Sequence, residues 1–99
     1  MAGEARIRRM IKDWAPCVDP ETADLITVHF LERENLIVIK IAERYFASFS
    51  EMEIESKTRS ELDDIVYLIY QAAKLTATLN AGFKRRIDGY KEYIDQIIG

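Results

Sequence analysis

The spacing of apolar residues changes twice along the chain. Ile7, Met10, Ile11 and Trp14 fall three and four apart, with Arg6, Arg8, Arg9, Lys12 and Asp13 around them. This is one apolar stripe of a helix over residues 4–14. Pro16 ends it, because proline disfavours helical geometry in the residue before it. From residue 26 the period drops to two. Ile26, Val28 and Phe30 share one side, and Ile37, Ile39 and Ile41 repeat the pattern with Lys40 opposite, as half-buried strands require. Arg33-Glu34-Asn35 lies between them as a hairpin loop, and Asn35 suits the left-handed position such a loop needs. A third strand is expected from Tyr45 to Glu55. There Met52 and Ile54 alternate with Glu51, Glu53 and Glu55, leaving one wet face. Asp19-Pro20-Glu21 combines an N-cap, a proline at the first position and an acid near the dipole. A short helical turn over 19–24 therefore precedes the first strand. Extended further, that signal would keep residues 20–50 helical and give an all-α bundle or a histone-like fold. The link from Ala42 to Tyr45, which lacks glycine and asparagine, argues the same way. Against it, the polar run Glu32 to Asn35 interrupts any single helical stripe.

After residue 60 the helical period returns and persists. Ser60 and Asp63 resemble a capping box, with Asp in place of Glu or Gln. Leu62, Ile65, Ile69, Ala72, Thr76, Leu79, Phe83, Arg86, Tyr90, Tyr93 and Ile97 follow at steps of three and four. Val66, Ala73, Asn80, Ile87 and Ile94 run beside them. Continuous helix over 60–98 would be about 58 Å long, against about 20 Å for a typical strand. Two arrangements satisfy this excess. Either the chain breaks at Asn80-Ala81-Gly82, whose residues suit a left-handed C-cap, and a last helix folds back. Or the helix continues and its far half docks on a second copy. The expected fold is α+β, a single domain over 1–99: an N-terminal helix, a three-stranded antiparallel meander and a long C-terminal helix.

Composition narrows the class. The chain has 99 residues, 48% of them hydrophobic and 31% charged, which is globular composition and one domain's worth of chain. It holds no apolar run long enough to span a bilayer, and no apolar segment follows the charged first residues as a secretory signal would require. Cys17, the only cysteine, makes no internal disulfide, so the expected address is cytoplasmic, with no membrane contact. The net charge of −3 is unevenly placed. Arg6, Arg8, Arg9 and Lys12 against Glu4 make residues 1–12 basic. Residues 13–82 carry six basic and thirteen acidic side chains, and Lys84, Arg85, Arg86 and Lys91 outnumber the acids of 83–99. The whole does not recruit polyanions by net charge, but the two ends together form a candidate basic face.

Candidate chemistry is sparse. His29, the only histidine, is expected as a partly buried structural residue, because no acid or cysteine accompanies it in sequence. Cys17 between two prolines reads as a small buried connector residue, with no base to form a thiolate. No Cys/His spacing suits zinc. Glu51, Glu53 and Glu55 read as the charged face that protects a strand edge rather than as a cation site. Tyr67 and Tyr70 read as helix core or dimer seam. No phosphate loop, dinucleotide fingerprint or nucleophile elbow occurs, so neither an enzyme nor a cofactor is expected. The sharpest local feature is Lys84-Arg85-Arg86. With Lys91, and with Arg6 and Arg9 if the first helix lies beside the last, it would contact RNA phosphates, with Tyr90 or Tyr93 stacking on bases.

Val18-Asp19-Pro20, leading into Ile26-Thr27-Val28-His29-Phe30, is followed by the charged turn Arg33-Glu34-Asn35 and the run Leu36 to Ile41. An aromatic third strand, Tyr45 to Phe49, and the helix from Ser60 complete the order. This layout resembles the Alu-domain proteins of the signal recognition particle over residues 5–80. The resemblance implies a paired α/β subunit whose joined sheet supports RNA binding. The chain departs from that family in being acidic through its sheet. Leu75 to Lys84 also looks like the last helix of the small dimerisation subunit of KEOPS, a tRNA-modifying complex, although there the helix directly follows a hairpin. The leading functional expectation is a small non-catalytic assembly subunit, partnered with itself or with a larger protein complex. Its interface would be Leu79, Phe83, Ile87, Tyr90, Ile94 and Ile97. The alternative is an RNA-binding subunit of a ribonucleoprotein or tRNA-modifying complex using 84–86.

Overall fold

The computed structural model describes the backbone of residues 2–98 and the side chains of 2–80, 96 and 97. Helix α1 runs Ala2–Trp14, and a single 3-10 turn, Ala15–Cys17, follows it at Pro16. Helix α2, Pro20–Asp24, starts with Asp19 as N-cap and Pro20 at the first position. Strands β1 (Ile26–Leu31), β2 (Leu36–Ile41) and β3 (Arg44–Ser50) make an antiparallel sheet in the order β1-β2-β3. Helix α3 is Glu51–Ser56 and helix α4 is Arg59–Ile98. The fold is α+β, and residues 26–50 hold three strands and no helix.

The sheet supplies Ile37, Ile39 and Ile41 from β2 to one core. The helices supply Ile7, Ile54, Leu62, Ile69 and Ala73. Strand alternation puts Leu36, Val38 and Lys40 on the opposite face. Helix α1 also meets α4 through aromatic packing. Trp14 stacks on Tyr70 at 6.2 Å and meets Tyr67 edge-on at 6.4 Å. Tyr70 is buried and its hydroxyl donates to the Ile11 carbonyl. Burial pushes that hydroxyl's pKa above its ordinary value. Tyr70 is thus core, while Tyr67 stays half exposed.

Two turns join the strands. Residues 32–35 connect β1 to β2, with Asn35 left-handed at φ 53°, as its side chain allows. Ala42-Glu43 connects β2 to β3, and both residues are left-handed, at φ 53° and 66°. Two consecutive positive-φ residues make the type I′ turn that matches strand twist. Here alanine and glutamate occupy it at a cost of about 1–2 kcal/mol each. Phe46 is an extra residue in the β2–β3 register, since Ile39 pairs with Ala47 but Lys40 with Tyr45. This bulge bends β3.

The third strand is shorter than expected. The chain leaves the sheet at Ser50, whose hydroxyl caps α3 by accepting from Glu53 N–H at 3.1 Å. The Glu53 carboxylate returns the bond to Ser50 N–H. Glu51, Glu53 and Glu55 therefore lie on a helix and are not the wet face of a strand edge. Their alternation with Met52 and Ile54 is real, but one and a half helical turns cannot display a 3.6 period. The box that starts α4 also differs: Thr58 and Glu61 exchange bonds of 3.1 and 3.2 Å, two residues before Ser60 and Asp63. The Thr58 N–H holds the Glu61 carboxyl below its ordinary value, with the Thr58 hydroxyl side chain adding to it. Past this start α4 continues through Asn80-Ala81-Gly82 without a break. The molecule is accordingly 62 Å long and 30 by 15 Å across, close to the ~60 Å of forty helical residues.

Candidate interaction surfaces

Helix α4 and the sheet part company near residue 77. Leu62, Val66, Ile69, Tyr70 and Ala73 are buried, and Thr76 and Ala77 are half-buried. Leu79 continues the row Leu62, Ile65, Ile69, Ala72 and Thr76 on one flank of this face and is 63% exposed. Leu75 is 61% exposed beside it, and Ile97, near the helix end, is 67% exposed. Of the expected protein interface, Leu79 and Ile97 are therefore solvent-facing apolar side chains. Phe83, Ile87, Tyr90 and Ile94 lie outside the described side chains. A groove of about 440 Å³ opens where the stripe leaves the sheet, with Tyr45 and Phe46 of the bulged β3 on one wall and Thr76 and Leu79 on the other. The sequence gives no sign of this groove, because the bulge that turns Phe46 towards it has no local signature.

The basic residues separate into two places. Arg6 Nη1 donates to the carbonyls of Ile54 at 3.1 Å and Lys57 at 2.8 Å, with a longer bond to Glu55. It closes the C-terminal end of α3. Arg9 is exposed and borders a second groove with Arg6, Met10 and Arg59. Arg59 was not singled out in sequence, and only the approach of α1 to the start of α4 brings it to Arg9. Arg6 and Arg9 thus lie beside the start of α4. Lys84, Arg85, Arg86 and Lys91 lie outside the described side chains.

The acidic residues have a structural task at the first end of α4. Glu51 is buried, and its carboxylate accepts from the N–H groups of Gly3 at 2.8 Å and Glu4 at 3.1 Å. It thereby caps α1 from 48 residues away. Its carboxyl is held below the ordinary value. The Gly3 and Glu4 N–H groups contribute to this, and burial opposes it. Gly3 is required for the approach: a Cβ there would stand 2.7 Å from the Glu51 carbonyl oxygen. Among the described residues no three His, Cys, Asp or Glu side chains gather as a metal site.

His29 and Cys17 are both exposed, which corrects their expected burial. His29 sits on the face of β1 away from the core, opposite Val38. Cys17 follows Pro16 at the end of the 3-10 turn. Among the described residues no helix is long and apolar enough to cross a membrane. No family model matches the chain, and neither a curated protein nor a solved structure matches it.

Proposed function

We propose that the protein is a non-catalytic assembly subunit that pairs with a second copy through the far half of α4. One observation carries this reading: the row Leu62, Ile65, Ile69, Ala72 and Thr76, buried or half-buried along the packed part of α4, runs on uncovered at Leu79 and returns, exposed, at Ile97. An isolated amphipathic helix in water gains little stability from propensity alone, and a packed apolar face is what ordinarily holds one. By sequence register Phe83, Ile87, Tyr90 and Ile94 continue that stripe between Leu79 and Ile97. Pairing of the two helices would bury it, as heptad-spaced residues do in helical bundles.

The test is native mass by light scattering coupled to size exclusion. The pairing predicts twice the 11.5 kDa chain mass, returning to a single chain in Ile87→Glu/Ile94→Glu. A wild-type monomer at about 100 µM, a concentration at which micromolar pairs are mostly associated, overturns it. Absorbance at 260 and 280 nm across the same peak reads the RNA alternative, which rests on Lys84, Arg85 and Arg86. A nucleic-acid ratio that disappears when the three become alanine would transfer the function to that stretch.

A further inference from the structure

Strand β1 is an edge of the sheet, and its hydrogen-bonding pattern can be assigned. Ala42 N–H donates to the Leu25 carbonyl at 2.9 Å, one step beyond the register that pairs Thr27 with Lys40 and His29 with Val38. Bonding alternates along an antiparallel ladder. The main-chain groups of Thr27, His29 and Leu31 are therefore turned to β2. Those of Ile26, Val28 and Phe30 are turned outward. Six residues, Ile26–Leu31, form this edge with no proline, lysine or bulge among them. These are the devices by which exposed edges are ordinarily blunted.

A groove of about 590 Å³ runs beside the edge. Ile26, Thr27, Val28 and His29 line it consecutively, and residues from both faces of a strand can border one cavity only along its edge. The other wall is one face of α1, where Arg8, Ile11, Lys12 and Ala15 recur at helical spacing. Arg8 is bonded to Glu4 at 2.8 Å yet keeps 46% of its side chain exposed. Lys12 is exposed and has no ion pair among the described residues. Asp24 is the one acid on the lining.

We propose that this edge receives an extended, acidic segment of a partner protein as a fourth strand. Its main chain would pair with Ile26, Val28 and Phe30. Its aliphatic side chains would meet Ile11, and its carboxylates would meet Lys12 and Arg8. Main-chain bonding supplies affinity in such strand addition and the side-chain wall supplies selectivity. A second copy is the poorer occupant. Two-fold pairing of β1 with β1 would set the Arg8 and Lys12 walls of two α1 helices against each other, and facing like charges oppose association. The site is distant in sequence from the α4 stripe and does not depend on self-pairing there.

The probe is a fluorescein-labelled, end-capped octapeptide alternating valine and glutamate, titrated into the ¹⁵N-labelled full chain. Saturable anisotropy is expected, with amide shifts centred on Ile26, Val28 and Phe30. Methylating alternate peptide nitrogens, in the register that faces the edge, is expected to weaken binding by about tenfold or more, because each removes a main-chain donor. Lys12→Glu, at an exposed position and with its fold checked by circular dichroism, is expected to weaken it by about tenfold, and a valine–lysine peptide is expected to bind worse than either. The proposal is overturned by no binding at about 1 mM peptide, the millimolar limit of useful affinity. Equal affinity for the glutamate and lysine peptides also overturns it, as does indifference to N-methylation. So does concentration-dependent protection of the Ile26, Val28 and Phe30 amides without peptide, since that would make a second copy the occupant.

Discussion

The two ends of the packed part of α4 are built on opposite terms. Around Leu62 the helix ends are bonded: Glu51 of α3 caps α1, Arg6 of α1 closes α3, and α4 is capped by its own Thr58 and Glu61. Ile54 and Leu62 are fully buried between them. Around Leu79 the backbone of Ala42 and Glu43 is held left-handed without glycine, and Tyr45, Leu75 and Leu79 face solvent. The first end is closed and locally satisfied. Met52 is exposed at the first end too, but only the second combines exposed apolar side chains with a left-handed turn and a groove, which is where a protein that must meet a partner would keep them.

The sharpest way to break this contrast is truncation on both sides. Leu62→Ala or Ile54→Ala should cost about 2–5 kcal/mol, the usual range for a buried aliphatic cut to alanine, measured by urea denaturation. Leu75→Ala should stay within about 0.5 kcal/mol, as exposed changes do. If the two costs matched, the ends would not differ. Gly3→Ala comes next. Its Cβ meets main chain rather than a pliable side chain, so a loss of about 1–3 kcal/mol is expected from overpacking. At the opposite end the sign reverses: Ala42→Asn with Glu43→Gly should raise stability by about 1–2 kcal/mol by relieving the left-handed backbone. A loss there would mean that the turn carries no strain.

Acid gives the smallest and most selective effect. Glu51 and Glu61 both have carboxyls held below their ordinary value of 4.5 in the folded chain. Their contribution is present above that value and is lost as pH falls through the folded values. Melting temperature should therefore drop below about pH 4.5, and Glu51→Gln should flatten that drop. An unchanged acid limb in Glu51→Gln would remove Glu51 from the account.

Much of this fold is legible in the residues. Ile7 and its stripe, the Pro20 helix start, the Ile37-Ile39-Ile41 alternation and the left-handed Asn35 each follow from a local rule and appear in the structure. The long apolar stripe also gives α4, although composition alone did not decide whether Gly82 would end it. What escaped is what depends on tertiary neighbours. Ser50 and Glu53 form a capping box, yet the strand-like alternation of Met52 and Ile54 masks it. Ala42-Glu43 has no turn chemistry, and the strand pairing on both sides imposes its geometry. For the candidate surfaces, Leu79 and Ile97 were readable as stripe positions. The Arg9–Arg59 neighbourhood and the α1 wall beside β1 were not, because each arises where α1 lands, whereas the edge position of β1 follows from the expected meander. The tethering of Arg6 to α3 was hidden for the same reason.

That landing also determines how the molecule can come apart. The first N–H groups of α1 depend on a side chain of α3, and the last carbonyls of α3 depend on a side chain of α1. Neither helix can lift away without stranding polar backbone belonging to both. The two therefore form one cooperative opening unit, whose amides should exchange with solvent together rather than fraying one terminus at a time.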